Sequence, residues 1–191
     1  AAAYFIDWTD PQVFQQTADG LGTYIDNVGG VKGKGVEMST RWLLPWPAGL
    51  SLSASGAWND TRTTEDFDSS SGKRVVAGSP WPLSPRWQTT ASLAYVLPLQ
   101  DWRAAASLRH TFSSTACNVI ECNAQVFGYR TLDLNLSLAS QVWAWAPELS
   151  VTLGNLTNER GISSATVNPT LGDTTSYIAP RALTVRLSGS F

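Results

Sequence analysis

The 191-residue sequence has one histidine, two cysteines and one methionine, and only 15% of it is charged. A single imidazole and two thiols cannot furnish a conventional zinc site without carboxylates from elsewhere. With 13 basic against 15 acidic residues and a net charge of -2, charge balance gives no reason to expect nucleic acid as a partner. The longest unbroken apolar run is residues 1–6, far short of the roughly 18 that a membrane helix needs. Helical membrane spans are therefore excluded, and no catalytic set, metal or cofactor is expected. A membrane β-barrel is not excluded. Its lipid-facing apolar residues alternate with polar ones, so its mean hydropathy resembles that of a soluble protein.

What the chain does have is a period of two. Leu132, Leu134, Leu136 and Leu138 alternate with Asp133, Asn135 and Ser137. Leu149, Val151 and Leu153 alternate with Ser150, Thr152 and Gly154, and Leu183, Val185 and Leu187 with Thr184, Arg186 and Ser188. Upstream, Leu50, Leu52, Ala54 and Trp58 share one face, as do Ala104, Ala106, Leu108 and Phe112. No helical stripe competes.

Short connections fall at residues 45–49, 98–101 and 140–147, and long polar ones at 61–85, 113–128 and 158–180. They alternate, as in an up-and-down transmembrane barrel with tight periplasmic turns and long extracellular loops. The expected fold is all-β and antiparallel, with about eight strands at 2–16, 23–44, 50–61, 86–97, 102–113, 129–139, 148–157 and 181–191. Tryptophan supports this, because indoles favour both membrane interfaces. Trp42, Trp46, Trp102, Trp143 and Trp145 lie beside the short turns, while Trp58 and Trp87, with Trp81, lie toward the long loops. Together they predict two aromatic girdles.

Several segments carry a family resemblance. The run from Asn27 through Gly29 and Gly35 to Glu37 resembles the Asn-x-Gly…Gly-Val/Ile-Glu signature of a late barrel strand in TonB-dependent outer-membrane receptors, and Tyr4 to Trp8 resembles the strand before it. Gly128-Tyr129 through Asp133 is similar to the family's antepenultimate strand. Gly154-Asn155-Leu156-Thr157-Asn158 is similar to the motif closing the next one, and Pro180-Arg181 followed by alternation to Phe191 resembles the final strand. The matches occur in family order over nearly the whole chain.

The resemblance implies that residues 1–191 are the C-terminal part of a receptor barrel, with plug domain and N-terminal strands absent, and residues 1–6, followed by Asp7 and Asp10, lack the basic start expected of a signal peptide. It implies an outer-membrane location, contact with outer-membrane lipid, a TonB complex acting through the absent plug, and a scarce ligand, most fittingly a ferric siderophore. Phe191 corresponds to the terminal aromatic read by the outer-membrane assembly machinery. The segment alone would supply wall and loops without energised uptake. The alternative is a complete eight-stranded outer-membrane barrel with a structural or adhesive role, in which the first and last strands pair. The small Ser, Thr, Ala and Asn side chains of the polar face suit a wide barrel better than a packed narrow lumen, although Glu37, Arg103, Arg109 and Arg186 could form a polar network there.

Other candidate chemistry is sparse. His110 projects with Leu108 and Phe112 on the apolar face, where a hydrolase would need a nucleophile and an orienting group beside it. Gly29 to Gly35, with Lys32 and Lys34, lacks the Gly-Lys-Ser/Thr spacing of a phosphate loop and leads into a strand. Cys117 and Cys122 share a loop that would face an oxidising compartment, where a disulfide fits, with metal capture by the thiols as the alternative. Asp60, Arg62, Glu65, Asp66, Asp68, Lys73 and Arg74 make the loop over 61–85 charged, and residues 157–177 are mostly polar and uncharged.

Overall fold

A computed structural model describes residues 1–69 and 71–189. It contains strands and turns and no helix among the described residues. In chain order the strands are β1 (Ala2–Thr9), β2 (Gln12–Gln16), β3 (Thr23–Asn27), β4 (Gly30–Leu43), β5 (Leu50–Thr63), β6 (Phe67–Asp68), β7 (Arg74–Val75), β8 (Trp87–Leu99), β9 (Trp102–Cys117), β10 (Gln125–Ser140), β11 (Glu148–Gly154), β12 (Ile162–Thr166), β13 (Thr174–Tyr177) and β14 (Ala182–Ser188). The main sheet runs β1-β4-β5-β8-β9-β10-β11-β14, each strand antiparallel to its neighbour, with the β12–β13 hairpin attached to β10. Hairpins β2–β3 and β6–β7 sit in long connections.

The pairing register turns the alternation along each strand into rows across the sheet. Trp42, Leu52, Leu93, Leu108, Leu134, Leu153 and Leu183 are successive partners on neighbouring strands. One residue away, Arg41, Ser53, Ser92, Arg109 and Asp133 form a polar row. A slip of one residue anywhere would exchange the faces. Most of the apolar face stays open, with Trp42 59%, Leu183 64% and Leu187 67% exposed. Among the described residues, the buried apolar side chains Val13, Val28, Val31, Val75, Ile120 and Val126 all lie toward the long-loop end.

Several boundaries differ from the sequence expectation. The spans over 2–16 and 23–44 are each interrupted, at Asp10-Pro11 and at Val28-Gly29. The Asp10 N–H donates to the Gly29 carbonyl at 3.0 Å and the Val28 N–H to the Pro11 carbonyl at 3.0 Å. Thr9 faces Gly30 and Gln12 faces Asn27, so the hairpin bends without losing register. Proline has no N–H to give the ladder, and positive φ at Asp10 and Gly29 turns the backbone there. Much of the loop expected over 113–128 is strand, because β9 and β10 pair as far as Cys117 and Gln125. Strand β11 stops at Gly154, where Asn155 takes a left-handed φ of 47°. Phe191, the expected assembly signal, lies outside the described residues.

Strands β1 and β14 sit at the two ends of the sheet, each with one strand partner. The first-to-last pairing of a closed eight-stranded barrel is therefore not formed among the described residues. The polar set Glu37, Arg103, Arg109 and Arg186 shares no ion pair among the described residues.

Candidate functional site in the long-loop cluster

Two of the family-like motifs place aromatic rings over glycine. The Tyr4 ring covers Gly35 and the Tyr129 side chain covers Gly161, and a Cβ added at either glycine would collide with the tyrosine. A third is a hydrogen-bonding hub. Buried Asn155 donates from Nδ2 to the carbonyls of Glu159 and Ala179, both at 2.9 Å, and accepts from the Glu159 N–H at 2.9 Å. Its own N–H donates to Asp133 Oδ1 at 2.7 Å. The motif thereby fixes where the chain leaves the wall for its last long loop. Asparagine tolerates the left-handed backbone found there.

Four long connections meet above the sheet. Cys117 and Cys122 are joined as a disulfide that clips the β9–β10 turn. Lys73 Nζ donates to the Glu121 carbonyl at 2.7 Å, and the Leu83 N–H to the Cys117 carbonyl at 2.8 Å, tying the β5–β8 connection to this clip. On its other side Asn118 Nδ2 donates to the Ala165 carbonyl at 3.1 Å, holding the β12–β13 hairpin. That hairpin continues to Asn168, whose Nδ2 donates to the Gly20 carbonyl at 2.8 Å, and to Thr170, whose hydroxyl bonds the Asp19 carbonyl. The β2–β3 hairpin is thus reached from the far side of the sheet. The four connections enclose an open cavity of about 360 Å³ lined by Phe14, Lys73, Asn118, Glu121, Asn123 and Val167, among others. A second concavity of about 630 Å³ lies on the wall, where Glu37, Ser55, Gln88, Thr90, Thr111 and Tyr129 contribute polar-face groups.

Electrostatics in the loops are mostly spent internally. Asp66 accepts from the Ala77 N–H at 2.7 Å and from Arg74 at 3.1 Å, and these bonds hold its carboxyl below the usual range. Asp19 is lowered by the Thr17 hydroxyl and then by the Leu21 N–H. Partial burial, followed by the negative charges of Asp26 and Glu121, pushes the Tyr24 phenol up. Of the charged residues read from the sequence, Asp60 and Arg62 pair on β5 and Arg74 pairs with Asp66 and Asp68. Lys73 reaches the cavity. The load-sharing asparagines Asn118 and Asn168 leave little trace in the sequence, where the cue is the turn-forming Asn168-Pro169 pair.

The tryptophans divide by position. Trp58 and Trp87 face each other across β5–β8 with centroids 6.5 Å apart, on the apolar face. At the opposite end Trp102 and Trp143 are 5.6 Å apart and Trp143 and Trp145 6.0 Å, while Trp42 lies near the end of β4 and Trp46 is 85% exposed in the following turn. Trp81 is not in the outward ring; it packs on Trp8, whose register position belongs to the opposite face. His110 stands between Ala91 and Leu132 on the apolar face. No metal-ligating cluster is found among the described residues.

The family model described as TonB dependent receptor-like, beta-barrel, matches residues 1–158. The chain belongs to the TonB-dependent receptor family. Similar solved structures are those of BauA, the ferric preacinetobactin receptor of Acinetobacter baumannii, and FyuA, the ferric yersiniabactin uptake receptor of Yersinia pestis. The first has a TM-score of 0.70 and 18% identity, covering 99% of this chain and 26% of BauA. The second has a TM-score of 0.66 and 21% identity, covering 88% of this chain and 25% of FyuA. The chain thus spans about a quarter of each receptor's length. No curated protein sequence matches it. At these identities the likeness to the two receptors establishes the fold alone: antiparallel up-and-down strands of a TonB-dependent receptor barrel. Family and fold are those of transport receptors, not enzymes.

Proposed function

We propose that residues 1–191 form a C-terminal part of the wall and extracellular loops of an outer-membrane receptor that captures a scarce ligand, most fittingly a ferric siderophore, for TonB-driven uptake. The observation carrying this reading is the cavity enclosed by loops from strands far apart in the sheet. Such a cavity at the long-loop end can hold a ligand before it passes along the polar face. BauA and FyuA, named as receptors for ferric siderophores, support the ligand class. In this reading a plug and further strands complete the barrel, the plug engages TonB, and the assembly machinery recognises Phe191. Trp42, Trp46, Trp102, Trp143 and Trp145 mark the periplasmic interface, and Trp58 and Trp87 the outer one.

The test is uptake of radioiron presented as ferric catecholate, hydroxamate and mixed-ligand siderophores by cells with and without the gene, each in a TonB-competent and a TonB-deficient background. The expected result is gene-dependent uptake of at least one complex, abolished without TonB. Equal uptake of every complex with and without the gene would overturn the siderophore assignment.

A further inference from the structure

The outward positions of β4 change character along its length. They read Lys32, Lys34, Val36 and Met38, all on the face of Trp42 and, across the register, Trp58. On the flanking strands Phe5 and Asp60 oppose Lys34, and Asp7 and Arg62 oppose Lys32. Just beyond the Trp58–Trp87 pair, the apolar face therefore becomes a cationic one.

The charges do not cancel. Asp60 accepts from Arg62 at 2.8 Å and from Arg86 at 2.9 Å, and Asp7 lies 3.6 Å from Lys32. Lys34 has no ion pair among the described residues. Four cations against two carboxylates leave an excess of two positive charges on this patch. The side chains of Lys32 and Arg86 remain about half exposed. Phe5, Lys32, Lys34, Asp60 and Arg62 help line a concavity of about 290 Å³.

Directly below it, Val36, Met38, Gly56, Ala57, Trp58 and Trp87 line a second cleft of about 340 Å³ without a charged side chain. Gly56 stands between Met38 and Thr89 in the register, and its missing side chain opens the groove. A cationic site above an apolar groove, on one face and at the level of the indoles, matches a molecule with a phosphate head and an acyl tail. A free anion would have no use for the groove.

We propose that this outward surface of β1, β4 and β5 binds a phosphorylated lipid of the outer leaflet, with Lys32, Lys34 and Arg62 holding phosphate and the Val36–Trp58–Trp87 groove an acyl chain. The inference rests on the outer-membrane reading above. Lipid-facing cations near a membrane surface attract anionic headgroups, and the flexible lysine stems can reach them.

The test uses the whole receptor polypeptide purified from membranes in detergent, with diphosphorylated lipid A and its dephosphorylated form as probes and native mass spectrometry to count bound lipid. The phosphorylated form should be retained about tenfold more strongly, and Lys32→Gln with Lys34→Gln should bring the two forms to near parity. Gly56→Leu should weaken both forms together by filling the groove. Lys34→Gln alone, which breaks no ion pair, repeats the measurement if the double variant fails to assemble. Unchanged preference in the lysine variants, or displacement of the lipid by equimolar inorganic phosphate, would overturn the proposal. Cell fractionation tests the membrane reading separately: a protein found outside the outer membrane would refute that reading even with the phosphate preference intact.

Discussion

The wall and the loop end of this molecule are stabilised by different means. In the wall, a backbone ladder joins eight strands and most of the large apolar side chains remain exposed. At the loop end, buried valines, a disulfide and side-chain to backbone hydrogen bonds join segments up to 151 residues apart. On the proposed function, the difference teaches that the two regions have different solvents. Lipid would cover the apolar face of the wall, whereas the loops would meet water and build their own small core. A perturbation should consequently damage one region and spare the other.

The largest expected effect is on the wall. Leu134 sits mid-sheet between Leu108 and Leu153, so Leu134→Arg should destabilise the protein in bilayers by about 2–4 kcal/mol. Asn135→Arg, one residue away on the polar face, gives up the Nδ2 hydrogen bond to Thr152 Oγ1 at 2.7 Å and should cost only about 1 kcal/mol. Urea unfolding from lipid vesicles followed by tryptophan fluorescence measures both, and equal costs would erase the distinction between faces.

Next in size is the exit from β11. Asn155→Ala removes three side-chain hydrogen bonds, costing about 2–3 kcal/mol at roughly 1 kcal/mol each. Amide exchange should rise over residues 155–181 while protection in β9 and β10 holds. Loss of protection throughout the sheet would show that the hub supports the wall as well.

Replacing both cysteines, Cys117→Ser with Cys122→Ser, should cost about 2 kcal/mol, since the closed loop is short. Limited proteolysis should then cut residues 118–124 faster, with the wall fragments resistant. An unchanged cleavage pattern would mean that Lys73 and Asn118 hold the loop without the clip.

The smallest effect is on pH response. Because bonds from Ala77 and Arg74 lower the folded-state pKa of Asp66, its contribution is present above the ordinary carboxylate pKa and is lost as pH falls through the lowered folded value. Protection of the Ala77 amide, corrected for intrinsic exchange, should fall on acidification in the native protein but show no such step in Asp66→Asn. A matching step in the variant would assign it to another group.

The same contrast governs what could be read from the sequence. Wall strands follow from local alternation, and the leucines of β10 specify their face without knowledge of any neighbour. The seven-strand apolar row depends in addition on the registers across the long connections, which only the strand pairing shows. The loop end depends on contacts that no local period encodes: Asn168 reaching Gly20, Lys73 reaching the Glu121 carbonyl, and Asn118 reaching Ala165. Breaks within long strands fall between these cases. Pro11 signals an interruption, but the preserved register on either side emerges only from the pairing of Thr9 with Gly30 and Gln12 with Asn27. The strand extension to Cys117 is hidden in the sequence because Ser, Thr and Ala over 113–116 are loop-like, although Ser113, Thr115 and Ala116 pair with β10.

The most direct measurement of the central claim is site-specific spin labelling along β10 in lipid bilayers, introducing Leu134→Cys, Asn135→Cys, Leu136→Cys, Ser137→Cys and Leu138→Cys one at a time. Collision rates with oxygen, which partitions into lipid, and with a water-soluble nickel complex should alternate with a period of two. The leucine positions should favour oxygen. Uniform collision rates along the strand, or preferential oxygen access at positions 135 and 137, would contradict a lipid-facing leucine surface.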